Sequence, residues 1–184
     1  GAWAAAPDRP IVALTGDGGD EAFAGYDRYR AAQLAGRFDF LPRPVRRTLA
    51  RLSGALPHNQ PRTLTNRLHR FAAALGESGA RRYLSWVNVF PPARLAVGYR
   101  PSFRAQLDEQ APLVWFDALH AGAPGPVANR AVHTDYASYL PYDLLTKVDI
   151  ASMACSLECR CPMLDHELVE FALSLPLSWR LGAT

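Results

Sequence analysis

Residues 15–21 read Thr-Gly-Asp-Gly-Gly-Asp-Glu. Three glycines, Gly16, Gly18 and Gly19, fall within four positions. They free the backbone and let it approach a ligand closely. Glycine amides in such a turn can meet phosphate oxygens. Three carboxylates, Asp17, Asp20 and Glu21, would repel a bare phosphate. They suit a phosphate carried with Mg2+, which takes one or two carboxylates together with phosphate oxygens. The chemistry points to Mg-ATP or Mg-pyrophosphate. Taken alone, the same seven residues read equally well as an acidic helix cap with no ligand.

The second residue of interest is Lys147, the only lysine beside nineteen arginines. The sequence otherwise uses arginine for positive charge. A lysine kept at one position suggests a need for a compact, titratable amine. Chance retention of one surface lysine is the competing reading.

The elements that would position these groups follow from pattern. Ile11–Leu14 is a short apolar run ahead of the glycines and reads as a buried strand. Pro10 is tolerated at a strand's start. Residues 21–34 read as a helix with acids in its first turn, where the dipole favours them. In an open α/β fold, ligands bind at the carboxyl ends of strands, which places the turn correctly. The middle is helical. Val45, Leu49 and Leu52, then Leu64, Leu68, Phe71 and Leu75, recur at helical spacing, with Pro57 and Pro61 between the two sets. Further helices are expected over 80–90, closed by Pro91 and Pro92, and over 111–121 and 129–140, with a loop across 122–126. Asp165 can cap a last helix whose inner face is Leu164, Leu168, Ala172 and Leu175, closed by Pro176. This yields one recognisable strand among six or more helices. A lone strand has no partner for its ladder. The reading therefore expects the other strands before Gly1, or on a partner chain.

Two long stretches resemble one family. Val12-Ala-Leu-Thr-Gly-Asp-Gly-Gly-Asp-Glu21, with Phe23, Gly25 and Tyr26, closely resembles the second signature of the asparagine synthetases. Tyr139-Leu-Pro-Tyr-Asp-Leu-Leu-Thr-Lys-Val-Asp149 continues into Ala151–Ala154, Ser156–Glu158, Arg160, Pro162 and Leu164–Glu167. That stretch resembles the family's C-terminal signature. Together they cover about half of the chain; residues 30–130 carry no diagnostic motif.

The resemblance implies an α/β fold of the adenine-nucleotide alpha-hydrolase-like (PP-loop ATP pyrophosphatase) type. Residues 1–184 would be the mostly helical C-terminal part of its synthetase domain. It implies activation of the aspartate side chain by ATP and Mg2+ to an aspartyl-adenylate, and displacement of AMP by ammonia made from glutamine. Asp17 would then help ammonia attack, a role a carboxylate can fill by taking a proton. Asp20 would hold Mg2+, which offsets charge on the departing pyrophosphate. Lys147 would stabilise charge at the α-phosphate. Thr15, Gly16, Gly18, Gly19 and Glu21 would contact the cofactor. The resemblance is also compatible with a homodimer of the full-length protein.

Departures and absences qualify this. Ile150 stands where the family usually has arginine directly after the aspartate, and Tyr142 where many relatives have aspartate. The Ser-Gly-Gly-x-Asp-Ser pyrophosphate loop and the N-terminal cysteine nucleophile of the glutaminase do not occur in the sequence. By itself the polypeptide is therefore expected not to make asparagine. Lasso-peptide cyclases and β-lactam synthetases share the fold, so the acceptor acid stays open. A degenerate, non-catalytic module that binds nucleotide or a partner chain is the third reading.

The remaining features are bland. Cys155, Cys159 and Cys161 are an odd, clustered set, read as reduced packing residues and not as a disulfide framework or zinc site. Glu158, Arg160 and Asp165 read as structural. His58, His69, His120 and His133 show no ligand spacing and read as surface or helix residues. Ten arginines against two acids lie between Arg37 and Arg82. They read as the solvated side of amphipathic helices, with no nucleic-acid motif beside them. No apolar run approaches the roughly 18 residues of a membrane span, and no signal peptide is visible at the start. A cytoplasmic location is expected.

Overall fold

A computed structural model describes residues 10–55, 63–90 and 92–182 of the chain. The expectations for Pro57, His58, Pro61 and Pro91 lie outside the described residues. The chain divides into two compact units, Gly1–Tyr29 with Val132–Thr184, and Arg30–Ala131. Both signature stretches fall in the first. The stretch without diagnostic motifs is the second.

Among the described residues the first unit is built on two strands, β1 (Val12–Leu14) and β2 (Glu158–Arg160). They pair in parallel, with Val12 opposite Glu158, Ala13 opposite Cys159 and Leu14 opposite Arg160. This corrects the expectation of a strand unpartnered within the chain. The partner is Glu-Cys-Arg, three residues with no apolar run to betray them. The strand is not buried either: Val12 is 40% and Leu14 74% exposed. Two strands cannot cover both faces as the layers of a larger parallel sheet do.

After β1 the chain turns through the glycines into α1 (Gly19–Ala22). The helix expected over 21–34 is broken. Ala24 adopts φ 55, and the Gly25 amide donates back to the Asp20 carbonyl at 2.8 Å, closing the last turn of α1. A fresh helix, α2 (Asp27–Gly36), then starts. It leads into the second unit's α3 (Arg43–Leu52), α4 (Leu64–Ala74), α5 (Gly79–Val87), α6 (Pro92–Gly98), α7 (Pro101–Arg104) and α8 (Ala111–Gly122). From α9 (Val127–Ala137) the chain returns to the first unit. A π-helical stretch, Leu140–Leu145, runs into α10 (Thr146–Met153), and α10 packs on β2. A short 3-10 turn, Pro162–Leu164, precedes α11 (His166–Ser174). Asp165 caps α11 as expected, its Oδ1 accepting from the amides of Glu167 and Leu168. Pro176 closes α11 but also opens α12 (Leu177–Leu181), which the sequence pattern did not disclose.

The second unit packs around Tyr83, whose ring lies against Trp86, Phe116 and His120. His120 is a helix residue, on α8, and at 4% exposure it belongs to the core. The apolar period on α3 misleads about which face is buried. Val45, Leu49 and Leu52 are exposed, and the buried residue of α3 is Arg46. Its guanidinium and that of Arg82 both bond Asp39, and both also reach the Glu77 carbonyl. The Asp39 carboxylate and the Glu77 carbonyl let the charged face turn inward, although Arg46 Nε is buried without a hydrogen-bond partner.

Candidate functional site

The parallel pairing brings the carboxyl ends of β1 and β2 to the same edge. The Thr15 amide donates to the Arg160 carbonyl at 2.8 Å, extending the ladder by one bond. Thr15 Oγ1 and Cys161 Sγ lie 3.1 Å apart, within hydrogen-bonding reach. The glycine turn then rests on the 3-10 turn that follows β2. Gly18 has φ 89, and a Cβ there would lie 2.1 Å from Leu164 Cδ2, so position 18 admits only glycine. Gly19 sits over Met163. The two signature stretches, separated by more than a hundred residues, thus form one surface.

The acids divide. Asp17 is half-buried and Asp20 exposed, at the amino end of α1. The Asp20 carboxylate folds over Gly25, and a Cβ at Gly25 would fall 2.1 Å from its Oδ1. Glu21 points inward instead and is 1% exposed. Its Oε1 accepts from Tyr26 Oη at 3.0 Å. Burial pushes the Glu21 carboxyl above the usual carboxylate range, and the Asp135 charge adds to this, while its hydrogen bonds and Arg28 act in the opposite direction. The Tyr26 phenol is raised by burial and by Glu21.

Among the described residues no group of three or more His, Cys, Asp or Glu side chains is arranged to hold a metal ion. A metal at this turn would rest on one or two carboxylates, with water and phosphate oxygens completing it. Those are hard oxygen donors, the set that suits Mg2+. Cys155, Cys159 and Cys161 are half-buried and form no disulfide with one another. Glu158 and Arg160 bond each other at 2.7 Å on the exposed side of β2. Lys147 is exposed on α10, and Ile150, one turn on, shares its face.

Beneath the turn lies a set of residues that pattern reading missed. Asp135, fully buried, accepts at Oδ2 from Arg28 Nε and Nη2 at 3.0 and 2.8 Å and from Tyr29 Oη at 2.7 Å. Arg180, on α12, donates to the carbonyl of Ala22, the last residue of α1, at 3.4 Å. His133 is held below the usual histidine range by burial and by Arg180. No local spacing could have joined Arg28 to Asp135. The only hint was a concentration of tyrosines, at positions 26, 29, 136 and 139.

Glu21 yields a pH prediction. Its folded pKa lies above the ordinary value of 4.5. The folded protein therefore binds this proton more tightly than the unfolded chain. The resulting stability is complete below 4.5 and is lost as pH rises through the folded pKa. Glu21→Gln should melt close to wild type near pH 4 and gain on it by several degrees near pH 7.5, measured by circular dichroism. A wild-type advantage that grows with pH would contradict this.

Among the described residues no helix is long and apolar enough to cross a membrane. A family model described as asparagine synthase matches residues 6–183. Proteins of Mycobacterium tuberculosis and Mycobacterium bovis named "Putative asparagine synthetase (glutamine-hydrolyzing)" are 36% identical over 179 residues, 94% of this chain and 25% of theirs. "Asparagine synthetase (glutamine-hydrolyzing) 1" of Bacillus subtilis is 26% identical over 169 residues, 90% of this chain and 25% of that protein. "Amidase chyE" of Penicillium rubens is 24% identical over 192 residues, 92% of this chain and 26% of that protein. The chain thus spans about a quarter of the length of the curated relatives it matches. No solved structure matches it. With nearly its whole length covered by the family model, the chain belongs to the asparagine synthase family.

Proposed function

We propose that the chain carries the acid-and-lysine half of a carboxylate-adenylating site. The reaction is ATP-dependent amidation of the aspartate side chain through an aspartyl-adenylate, with ammonia drawn from glutamine. The observation that carries the reading is the shared edge: the ends of β1 and β2, with the glycine turn seated on Leu164. Here Thr15, Gly16, Gly18 and Gly19 approach the phosphates with their backbone, and Asp20 presents a carboxylate for Mg2+. Mg2+ supplies neutralisation of charge on the pyrophosphate group when bound. Asp17, half-buried beside it, takes a proton from the incoming amine. Lys147 faces the α-phosphate and stabilises the charge that develops there during adenylation. Glu21, expected at the cofactor, supports the turn from below instead. The domain is of PP-loop type in this reading, the location cytoplasmic and the full-length protein compatible with a homodimer.

Calorimetry with Mg-pyrophosphate tests the proposal. Wild type should bind, and Asp20→Ala should weaken binding about tenfold, equivalent to about 1.4 kcal/mol. No heat with either Mg-ATP or Mg-pyrophosphate would remove the reading. Residues 1–184 contain no Ser-Gly-Gly-x-Asp-Ser loop to hold the phosphates. The purified chain should therefore show no aspartate-dependent ATP–pyrophosphate exchange alone. A signal would overturn that part.

A second reading has its own observation. Ile150 is 66% and Tyr142 72% exposed, where the resemblance places Arg and Asp. The exposed Ile150 on the face that carries Lys147, and the exposed Tyr142 in the stretch before α10, favour a module that binds nucleotide or a partner without catalysis. The calorimetry separates this case as well: a partner-binding module gives no heat, and a nucleotide-binding one gives heat indifferent to Asp20. The acceptor acid belongs to the proposal, since relatives include one named as an amidase.

A further inference from the structure

The adenylation reading requires the glycine turn and Lys147 to converge on one ligand, yet they lie on separate segments. A continuous set of contacts joins them within the first unit. Glu21, at the end of the turn, accepts from Tyr26 Oη. The Tyr26 ring carries the Arg28 guanidinium, with Cζ 3.7 Å from its centroid. Arg28 is also over Tyr139, at 4.6 Å, and over Tyr29, at 5.6 Å. Tyr26 and Tyr139 meet edge to face at 6.2 Å. Tyr139 is the residue before the π-helix that runs directly into α10 and Lys147. The fork of Arg28 is meanwhile fixed by two bonds to Asp135 on α9, and its side chain is only 18% exposed.

The geometry points to Arg28 as a positioning residue: caged by Tyr26 and Tyr139 and anchored on Asp135, it sets the glycine turn against the helix that bears Lys147. Its placement role in the reaction rests on the adenylation reading. The planar fork matters, not the charge alone. A lysine could keep an ion pair with Asp135 but could not stack on two rings while donating two fixed bonds.

The test compares the full chain with Arg28→Lys, both folded by circular dichroism. Hydrogen exchange should accelerate about tenfold or more in peptides covering residues 15–21 and 140–147 together, and stay unchanged over 79–87 in the second unit. Mg-pyrophosphate calorimetry supplies a readout that general destabilisation would not move. The penalty of Asp20→Ala should fall from about tenfold in wild type to under about twofold in the Arg28→Lys background, because the carboxylate is no longer aimed. Unchanged exchange in the two segments, or additive penalties, would overturn the inference. If wild type itself fails to bind, the adenylation reading falls and the exchange data alone decide whether Arg28 couples the segments. Should Arg28→Lys fail to fold, Tyr139→Leu, which keeps the Asp135 ion pair, is measured in its place.

Discussion

Asp135→Ala should cost the chain about 3–5 kcal/mol of stability, the largest loss expected from any single truncation in the first unit. Asp135 is completely buried, and one oxygen accepts three bonds, two from Arg28 and one from the buried Tyr29 hydroxyl. Truncation leaves a guanidinium that is 18% exposed facing a cavity. The cost is the stranded charge, more than the lost attraction. One compensation works the other way: Asp135 raises the Glu21 pKa, so its removal eases ionisation of Glu21. Urea unfolding checks the prediction. The midpoint should fall by about 1.5–2.5 M at an unchanged slope, taking a slope of about 2 kcal/mol/M. A shift worth under about 1 kcal/mol would mean that water or a rearrangement satisfies Arg28.

Asp39→Ala should have the corresponding effect in the second unit, at about 2–4 kcal/mol. Arg46 and Arg82 are 6% and 3% exposed in their side chains, and Asp39 is the acid they share. The bonds are 2.9 Å from Arg46 and 2.5 Å from Arg82. Asp39 itself is 40% exposed, and the Glu77 carbonyl remains a partner for both arginines, so the loss should be the smaller of the two. Reading the two substitutions by hydrogen exchange should assign each loss to its own unit. Asp39→Ala should expose α3 and α5, and leave the β1–β2 ladder protected. Equal loosening of both units would contradict independent foundations.

These buried ions mark where sequence reading stopped. The glycine turn was legible because three glycines and three acids in seven residues have few structural uses, and the turn forms where the strand ends. The Asp165 cap was legible for the same reason: a side-chain oxygen before an apolar run is a local signal. The second strand was not, because Glu158–Arg160 is extended only through its ladder with β1, and three residues show no period. The helix expected over 21–34 failed at Ala24, where a left-handed residue on a β-carbon carries no warning in the sequence. On α3 the period marks a helix correctly, but its apolar residues stay exposed and Arg46 is the one buried. Arg46 could be buried only because Asp39, seven residues earlier, and the Glu77 carbonyl meet it in three dimensions. Arg28 and Asp135 are separated by 107 positions, and nothing local joins them.

The account depends on Asp20 and Lys147 sharing one metal-bound polyphosphate. A crystal structure with Mn2+ in place of Mg2+, together with pyrophosphate, measures this directly. The anomalous signal of the metal should lie about 2.0–2.2 Å from an Asp20 carboxylate oxygen, with a phosphate oxygen about 3 Å from Lys147 Nζ. Metal bound elsewhere, or Lys147 turned away from the occupied turn, would contradict it.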